Sequence, residues 1–351
     1  MNSSPEIIID CDKMKYPNTG LYHFCFQLLN ALHKHGITEN RSIGYFAPKI
    51  VTDTNVFDEN IPFINRKIWN TCYLNLPKNY KVWHSAFQMG KFWPRNVKSN
   101  IITIHDLNYL YDKADKKHSY YYNGIKRNID RVDKIVTISE FSKHDIIDHF
   151  DIGNKEVEVI YNGCNIYNNI IEEPALKPDR QFIFSLGTIL PKKNFHVLPA
   201  LLKDNDYELI IAGNISNYFE RILEEARKWN VEDRVNIIGP ISEGLKHWYL
   251  KNCLAFAFPS IAEGFGLPVV EAMYYGKPIF LSSYTSLPEV GGDLATYFNK
   301  EFDPEGMRLE FIEGMERYNN ENLERKIKQH ALKFSWDEAA EKYWKIYKEF
   351  L

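Results

Sequence analysis

Short apolar runs of four to seven residues recur along the chain, separated by longer stretches where apolar positions return every three or four residues. In the first half the runs are Glu6–Asp10, Ser42–Ala47, Lys81–His84, Ile101–His105, Lys134–Ser139 and Val157–Tyr161. In the second half they are Gln181–Gly187, Tyr207–Gly213, Arg234–Gly239, Cys253–Pro259, Lys277–Leu281 and Ala295–Phe298. Helical spacing appears between them, for example at Leu21–His33, Ser142–Phe150, Tyr218–Trp229 and Val269–Tyr275. Apolar strands alternating with amphipathic helices predict parallel sheets covered on both faces, an α/β fold.

The alternation forms two series, each about half of the 351 residues, which predicts two domains. The stretch Asn165–Arg180, with Pro174, Pro178 and Glu172-Glu173, reads as a linker. The expected division is a first domain over 1–168, a second over 169–335, and a helix over 336–351, capped by Ser335 and packing back on the first domain. Doubly wound domains bind ligands beyond the carboxyl ends of their strands, so two of them facing across a cleft should carry their motifs just after strands.

Composition narrows the partners. With 43 Lys and Arg against 46 Asp and Glu, the net charge of −3 supplies no cationic surface for nucleic acid. The start, MNSSPEIIID, lacks the pattern of a signal peptide, and no run approaches the length of a membrane span, so a cytoplasmic protein is expected. Cys11, Cys25, Cys72, Cys164 and Cys253 have no metal-like spacing and read as reduced, buried thiols. The 22 Tyr and 22 Phe read first as a large aromatic core, and second as sugar-stacking or membrane-surface groups.

The sharpest motif runs from Ser260 to Met273, SIAEGFGLPVVEAM, followed by Gly276-Lys277-Pro278. Gly264, Gly266 and Pro268 make its first part a loop, and Pro268 suits a first helical turn. Backbone N–H groups around Gly264, Phe265, Gly266 and Leu267 would then face an anion or hydroxyl at a helix N-terminus. Glu263 on the loop can accept from sugar hydroxyls, and Glu271, placed in the first turn, from a ribose; otherwise Glu271 is a dipole-favoured helix-start residue. A second motif, FSLGTILPKKN from Phe184 to Asn194, follows a strand and precedes a predicted helix. Its lysines offer positive charge to a diphosphate, or form a solvated turn.

Glu263-x7-Glu271 within EGFGLPVVEAM…GKP resembles the signature of family four of the retaining glycosyltransferases, which have the GT-B fold of two Rossmann-like domains. The resemblance implies that Glu263 and the loop amides face the donor sugar and that Glu271 binds the nucleotide ribose. It implies a diphosphate contact for Lys193, with Lys192 where arginine is usual and Thr188 where some members carry another arginine. Gly213 and Gly239–Ile241 resemble segments that flank the nucleotide base.

In the first domain, His105 after Ile101–Ile104 matches a histidine that points at the donor sugar and positions it. Asn18-Thr19-Gly20-Leu21-Tyr22 resembles the opening loop, where Gly20 lets backbone approach the donor phosphate. The segment Val136–Asp145 matches another family stretch; Ser139 and His84 are acceptor-side candidates, each with a structural alternative as a cap or core group.

The reading implied is a retaining, metal-independent hexosyltransferase without a cofactor, acting on a saccharide or lipid-linked saccharide in surface polysaccharide synthesis. The Gly-Thr-x-x-Pro-Lys-Lys-Asn form is most similar to bacterial mannosyltransferases, so GDP-mannose is the first donor expected and a UDP-sugar the next. Peripheral contact with the inner membrane would suit a lipid-linked acceptor. Three alternatives remain. Asp10-Cys11-Asp12 and Asp204-Asn205-Asp206 each spell the Asp-x-Asp of metal-dependent transferases. A GT-B epimerase or phosphorylase would share the fold. A silent sugar-nucleotide-binding protein would share the donor site.

Overall fold

The computed structural model describes residues 5–17, 19–38, 43–48, 51, 61–65, 80–111, 117–164, 166–167 and 169–351. Asn18, Cys72 and most of the Val51–Lys81 loop lie outside them. The chain divides into two units, Met1–Gly163 with Ser335–Leu351, and Cys164–Phe334. The chain thus changes unit between Gly163 and Cys164, before the stretch read as a linker, and again between Phe334 and Ser335.

The described residues of the first unit hold seven strands: β1 (Ile7–Asp10), β2 (Ile43–Ala47), β3 (Phe63–Asn65), β4 (Val82–Ser85), β5 (Ser99–Ile104), β6 (Lys134–Thr137) and β7 (Val157–Val159). They pair in the order β3-β2-β1-β4-β5-β6-β7, every pair parallel. Its helices are α1 (Gly20–Thr38), α2 (His118–Ile129) and α3 (Glu140–His149). The pattern of apolar runs missed β3, whose three residues are too short to show a period.

The second unit holds β8 (Phe182–Leu186), β9 (Glu208–Ala212), β10 (Val235–Gly239), β11 (Ala255–Phe258), β12 (Ile279–Ser282) and β13 (Thr296–Phe298). Their order is β10-β9-β8-β11-β12-β13, again parallel throughout. Its helices are α4 (Phe219–Lys228), α5 (Glu243–Asn252), α6 (Leu267–Tyr274), α7 (Leu287–Gly291), α8 (Pro304–Asn320) and α9 (Leu323–Ala331). The helix expected after Asn194 is a 3-10 helix, Phe195–Leu202. Pro199 inside it removes a donor and crowds the preceding turn, which an α-helix would not tolerate.

Both sheets are doubly wound, and the strand order reverses at β1/β4 and at β8/β11. Parallel strands covered on both faces must be apolar along their length, and β11, Ala-Phe-Ala-Phe, is buried at every position. The last helix, α10 (Trp336–Glu349), is capped by Ser335, whose hydroxyl accepts from the Glu338 N–H at 3.3 Å, and it closes the first unit. Tyr343, Trp344 and Tyr347 are fully buried there, and the Trp344 indole donates to the Leu32 carbonyl at 3.4 Å. Much of the aromatic content is therefore core: Trp83, Tyr45, Phe24 and Phe184 are likewise enclosed.

Candidate functional site

In the second unit, the loops after β8, β11 and β12 are tied to one another at the sheet's carboxyl edge. The Lys192 carbonyl accepts from the Ile261 N–H at 2.8 Å and the Ser260 hydroxyl at 3.1 Å. Glu263 donates its N–H to Thr285 Oγ1 at 3.0 Å, and the Ser286 hydroxyl donates to the Glu263 carbonyl at 3.0 Å. With the backbone held on both sides, the Glu263 side chain is directed at Lys193, and the two form an ion pair. Both side chains are about 14% exposed or less, so the pair is largely shielded yet open on one side. The Lys193 ammonium also lies 4.8 Å from the centre of the Phe258 ring. Lys193 and Glu263 are 70 positions apart in the chain and flank the β8/β11 reversal.

Gly266 precedes α6 with φ 104°, a backbone that only glycine adopts without strain, and an added Cβ would lie 2.9 Å from Leu287 Cδ2. Pro268 follows in the first turn, and the opening N–H groups of such a helix have no partner within it. Phe265 is buried with its ring edge-on to Phe334 at 5.5 Å, so the ring is taken up by packing. Thr188 and Lys192 are half-buried in the segment after β8, and Ile241 is half-buried beyond β10.

Gly213 carries more than a turn. Its φ is 140°, and a Cβ there would lie 2.0 Å from the Gly187 carbonyl oxygen. The backbones leaving β8, β9 and β10 are layered at this edge: Gly187 N–H donates to Ala212, and Gly213 N–H to Gly239. The Lys193 stem runs over Gly187, where a Cβ would meet its Cε at 3.3 Å.

Glu271 is corrected in position. The helix begins at Leu267, so Glu271 opens the second turn, and the dipole account of it fails. It is buried, 3% exposed, and its Oε1 accepts from Lys246 Nζ of α5 at 2.9 Å. Lys246 also reaches Glu243 at 2.8 Å. Burial works to lower the Lys246 pKa, but Glu271 and Glu243 outweigh it and raise it above the ordinary lysine value. Lys246 escaped notice in the sequence, although a lysine three and four positions before the buried Tyr249 and Leu250 marks the interior stripe of that helix.

In the first unit, the two candidate histidines differ. His84 is fully buried with both ring nitrogens engaged, Nδ1 with Tyr347 Oη at 2.7 Å and Nε2 with Thr103 Oγ1 at 2.8 Å. It has no ring nitrogen left for an acceptor, and this corrects the expectation for it. Burial and the neighbouring His105 push its pKa down to about 3. His105 sits just past β5, its Nε2 2.9 Å from the Ala86 carbonyl. A carbonyl only accepts, so Nε2 carries the proton and Nδ1 is the acceptor. Burial lowers the His105 pKa despite the opposing effect of that carbonyl and of Asp106.

Ser139 is the N-cap of α3: its hydroxyl accepts from the Ser142 N–H at 3.1 Å, and its function there is structural. Gly20 opens α1, and a Cβ added to it would meet nothing within 4 Å. The preceding Thr19 hydroxyl accepts from the Tyr22 N–H at 3.3 Å.

Asp10, Asp12 and Asp204 of the Asp-x-Asp strings have protein partners. Asp10 Oδ1 accepts from the Asp12 N–H at 3.0 Å, Asp12 pairs with Lys15 at 2.7 Å, and Asp204 pairs with Arg308 at 2.5 Å. No cluster of three or more His, Cys, Asp or Glu suited to a metal occurs among the described residues. No helix among them is long and apolar enough to cross a membrane.

Two parallel doubly wound sheets, of seven and six strands, are the architecture of the GT-B fold. Residues 167–334 match the family model for glycosyl transferases group 1, and residues 75–167 match glycosyltransferase family 4. The chain belongs to the GT-B glycosyltransferases of family four. It is similar to the serotype-specific mannosyltransferase WbdA of Escherichia coli, 30% identical over 68% of this chain and 32% of that protein. The O-antigen chain mannosyltransferase RfbU of Salmonella typhimurium is 23% identical over 84% of this chain and 87% of its own length. The chain thus spans about a third of the WbdA relatives and most of RfbU. Among solved structures, sucrose-phosphate synthase from Thermosynechococcus elongatus superposes with a TM-score of 0.73 at 16% identity, covering 99% of both chains.

Proposed function

We propose that this chain transfers a hexose, first of all mannose from GDP-mannose, to a saccharide or lipid-linked saccharide of a surface polysaccharide, with retention and without a metal ion. The observation that carries the reading is the meeting of Lys193 with Glu263 at the β8/β11 reversal, four residues before α6 begins. The printed names of WbdA and RfbU support mannose.

In the reaction, the bond from the anomeric carbon to the diphosphate oxygen breaks, and its electron pair leaves with the nucleoside diphosphate. The acceptor hydroxyl oxygen bonds to the same face of that carbon, and its proton passes to the departing phosphate oxygen. An ammonium has three N–H donors, so Lys193 can keep Glu263 and still meet the growing phosphate charge. Glu263 and the Gly264–Leu267 backbone hold the sugar, and Glu271 accepts from the ribose. Lys192 and Thr188 line the diphosphate side, Ile241 the base side, and Gly20 and His105 are the first unit's candidates for phosphate and sugar contact.

The test begins with thermal shift against GDP-, UDP- and ADP-sugars. A ligand at about a hundred times its Kd stabilises the fold by about 2.7 kcal/mol, a shift large enough to read. Stabilisation by the UDP series alone would replace GDP-mannose. Transfer is then followed by NMR of the product's anomeric centre, where inversion would overturn retention. Loss of activity in EDTA restored by manganese would overturn metal independence.

A further inference from the structure

We infer that Lys246 is a positioning residue for the nucleotide: it holds the Glu271 carboxylate in the one orientation that reads ribose hydroxyls. The inference rests on the reading of Glu271 as the ribose acceptor. Three observations carry it. Lys246 reaches from α5 to Glu271 on α6, so the contact joins two separate helices. Both side chains are withdrawn from solvent, 8% and 3% exposed, although a buried ion pair seldom adds stability over apolar packing of the same size. Lys246 is also shared with Glu243, a carboxylate that is 45% exposed and costs little to leave in water.

One ammonium is shared between two carboxylates, one buried and one half in water. With Oε1 tied to Lys246, rotation of the carboxylate is restricted. A free carboxylate would meet a ribose with either oxygen and at many angles; a fixed one selects the hydroxyl pair of a ribose over a deoxyribose. His247 beside it has its Nδ1 on the Tyr275 hydroxyl at 3.0 Å and its ring stacked on Tyr167, which walls the pair on another side.

The experiment measures binding of GDP and UDP, with their 2′-deoxy and 3′-deoxy forms, by calorimetry. The proteins are the unaltered chain, Glu271→Ala, Lys246→Met and Lys246→Arg, and thermal unfolding without nucleotide checks that each is folded. The unaltered chain should prefer the ribonucleotide over at least one deoxy form by about tenfold, the scale of one hydrogen bond to a charged group. Glu271→Ala and Lys246→Met should both bring the ratio to within about twofold, and Lys246→Arg should restore most of it. A ratio unaffected by Glu271→Ala would overturn the ribose reading itself. A ratio lost in Glu271→Ala but kept in folded Lys246→Met would overturn the role of Lys246 alone. If Lys246→Met does not fold, the arginine variant decides: a full ribose preference there supports positioning by charge, and its loss in a folded protein refutes it.

Discussion

The two units place polar residues at the carboxyl edges of their sheets for different ends. In the second, Lys193 and Glu263 pair with each other while remaining partly open, and every backbone bond around them serves to aim the side chains. In the first, His84 is consumed by the fold: with Thr103, Tyr343 and Tyr347 it forms a closed polar chain linking β4 and β5 to the last helix. A polar side chain with all its partners inside the protein specifies structure, whereas one with capacity left over can bind. His105, next door, has Nε2 on the Ala86 carbonyl, which makes Nδ1 its acceptor nitrogen.

The largest way to break this contrast is to remove one member of the open pair. Glu263→Ala should lower kcat of sugar transfer by about 10²–10³ while the nucleotide still binds, and Lys193→Ala should lower kcat similarly and weaken the nucleotide too. Steady-state kinetics with nucleotide calorimetry separates the two; full activity in either variant would remove the site from the proposal. Next comes Gly213→Ala, which drives a Cβ into the Gly187 carbonyl. It should cost about 3 kcal/mol or more, read from urea unfolding, or yield no folded protein.

The closed network predicts a pH effect. The folded chain keeps His84 neutral down to about 3, while the unfolded chain protonates it near the ordinary value of about 6.5. Protons between those values therefore favour unfolding. Unfolding free energy should fall by up to about 1.4 kcal/mol per pH unit on acidification below pH 6.5 from this residue alone. His247, held to about 4 by burial ahead of the Lys246 charge, acts in the same direction. His84→Gln should flatten its share of the slope and leave kcat/KM nearly unchanged, whereas His105→Ala should lower kcat/KM with a smaller loss of stability. Reversed outcomes for the two histidines would reverse their assignment.

The smallest effect is at Gly20. A methyl there meets nothing within 4 Å among the described residues beyond its own helix and chain neighbours, so Gly20→Ala should change stability by less than about 0.5 kcal/mol. A severalfold rise in donor KM would then report the ligand's approach, and an unchanged KM would remove Gly20 from the donor site.

Much of this was legible in the residue order. Twelve apolar runs correspond to twelve of the thirteen strands among the described residues, because a strand buried on both faces has to be apolar throughout. The Gly-Phe-Gly-Leu-Pro string marks a loop turning into a helix, since backbone conformation at Gly266 and Pro268 is a property of those residues. What the order could not convey was which polar side chains had already found partners. His84 and His105 both follow apolar strands, yet only tertiary packing brings Tyr347, 263 positions away, onto one of them. Lys246 and Glu271 look like unrelated charges 25 residues apart until two helices set them in one dry contact. Local conformation follows from each residue's own sterics and spacing. Partnership depends on long-range contacts that close only when the sheets are assembled, and that is why the chain alone identified the strands and motifs and the fold decided which of their side chains remain available.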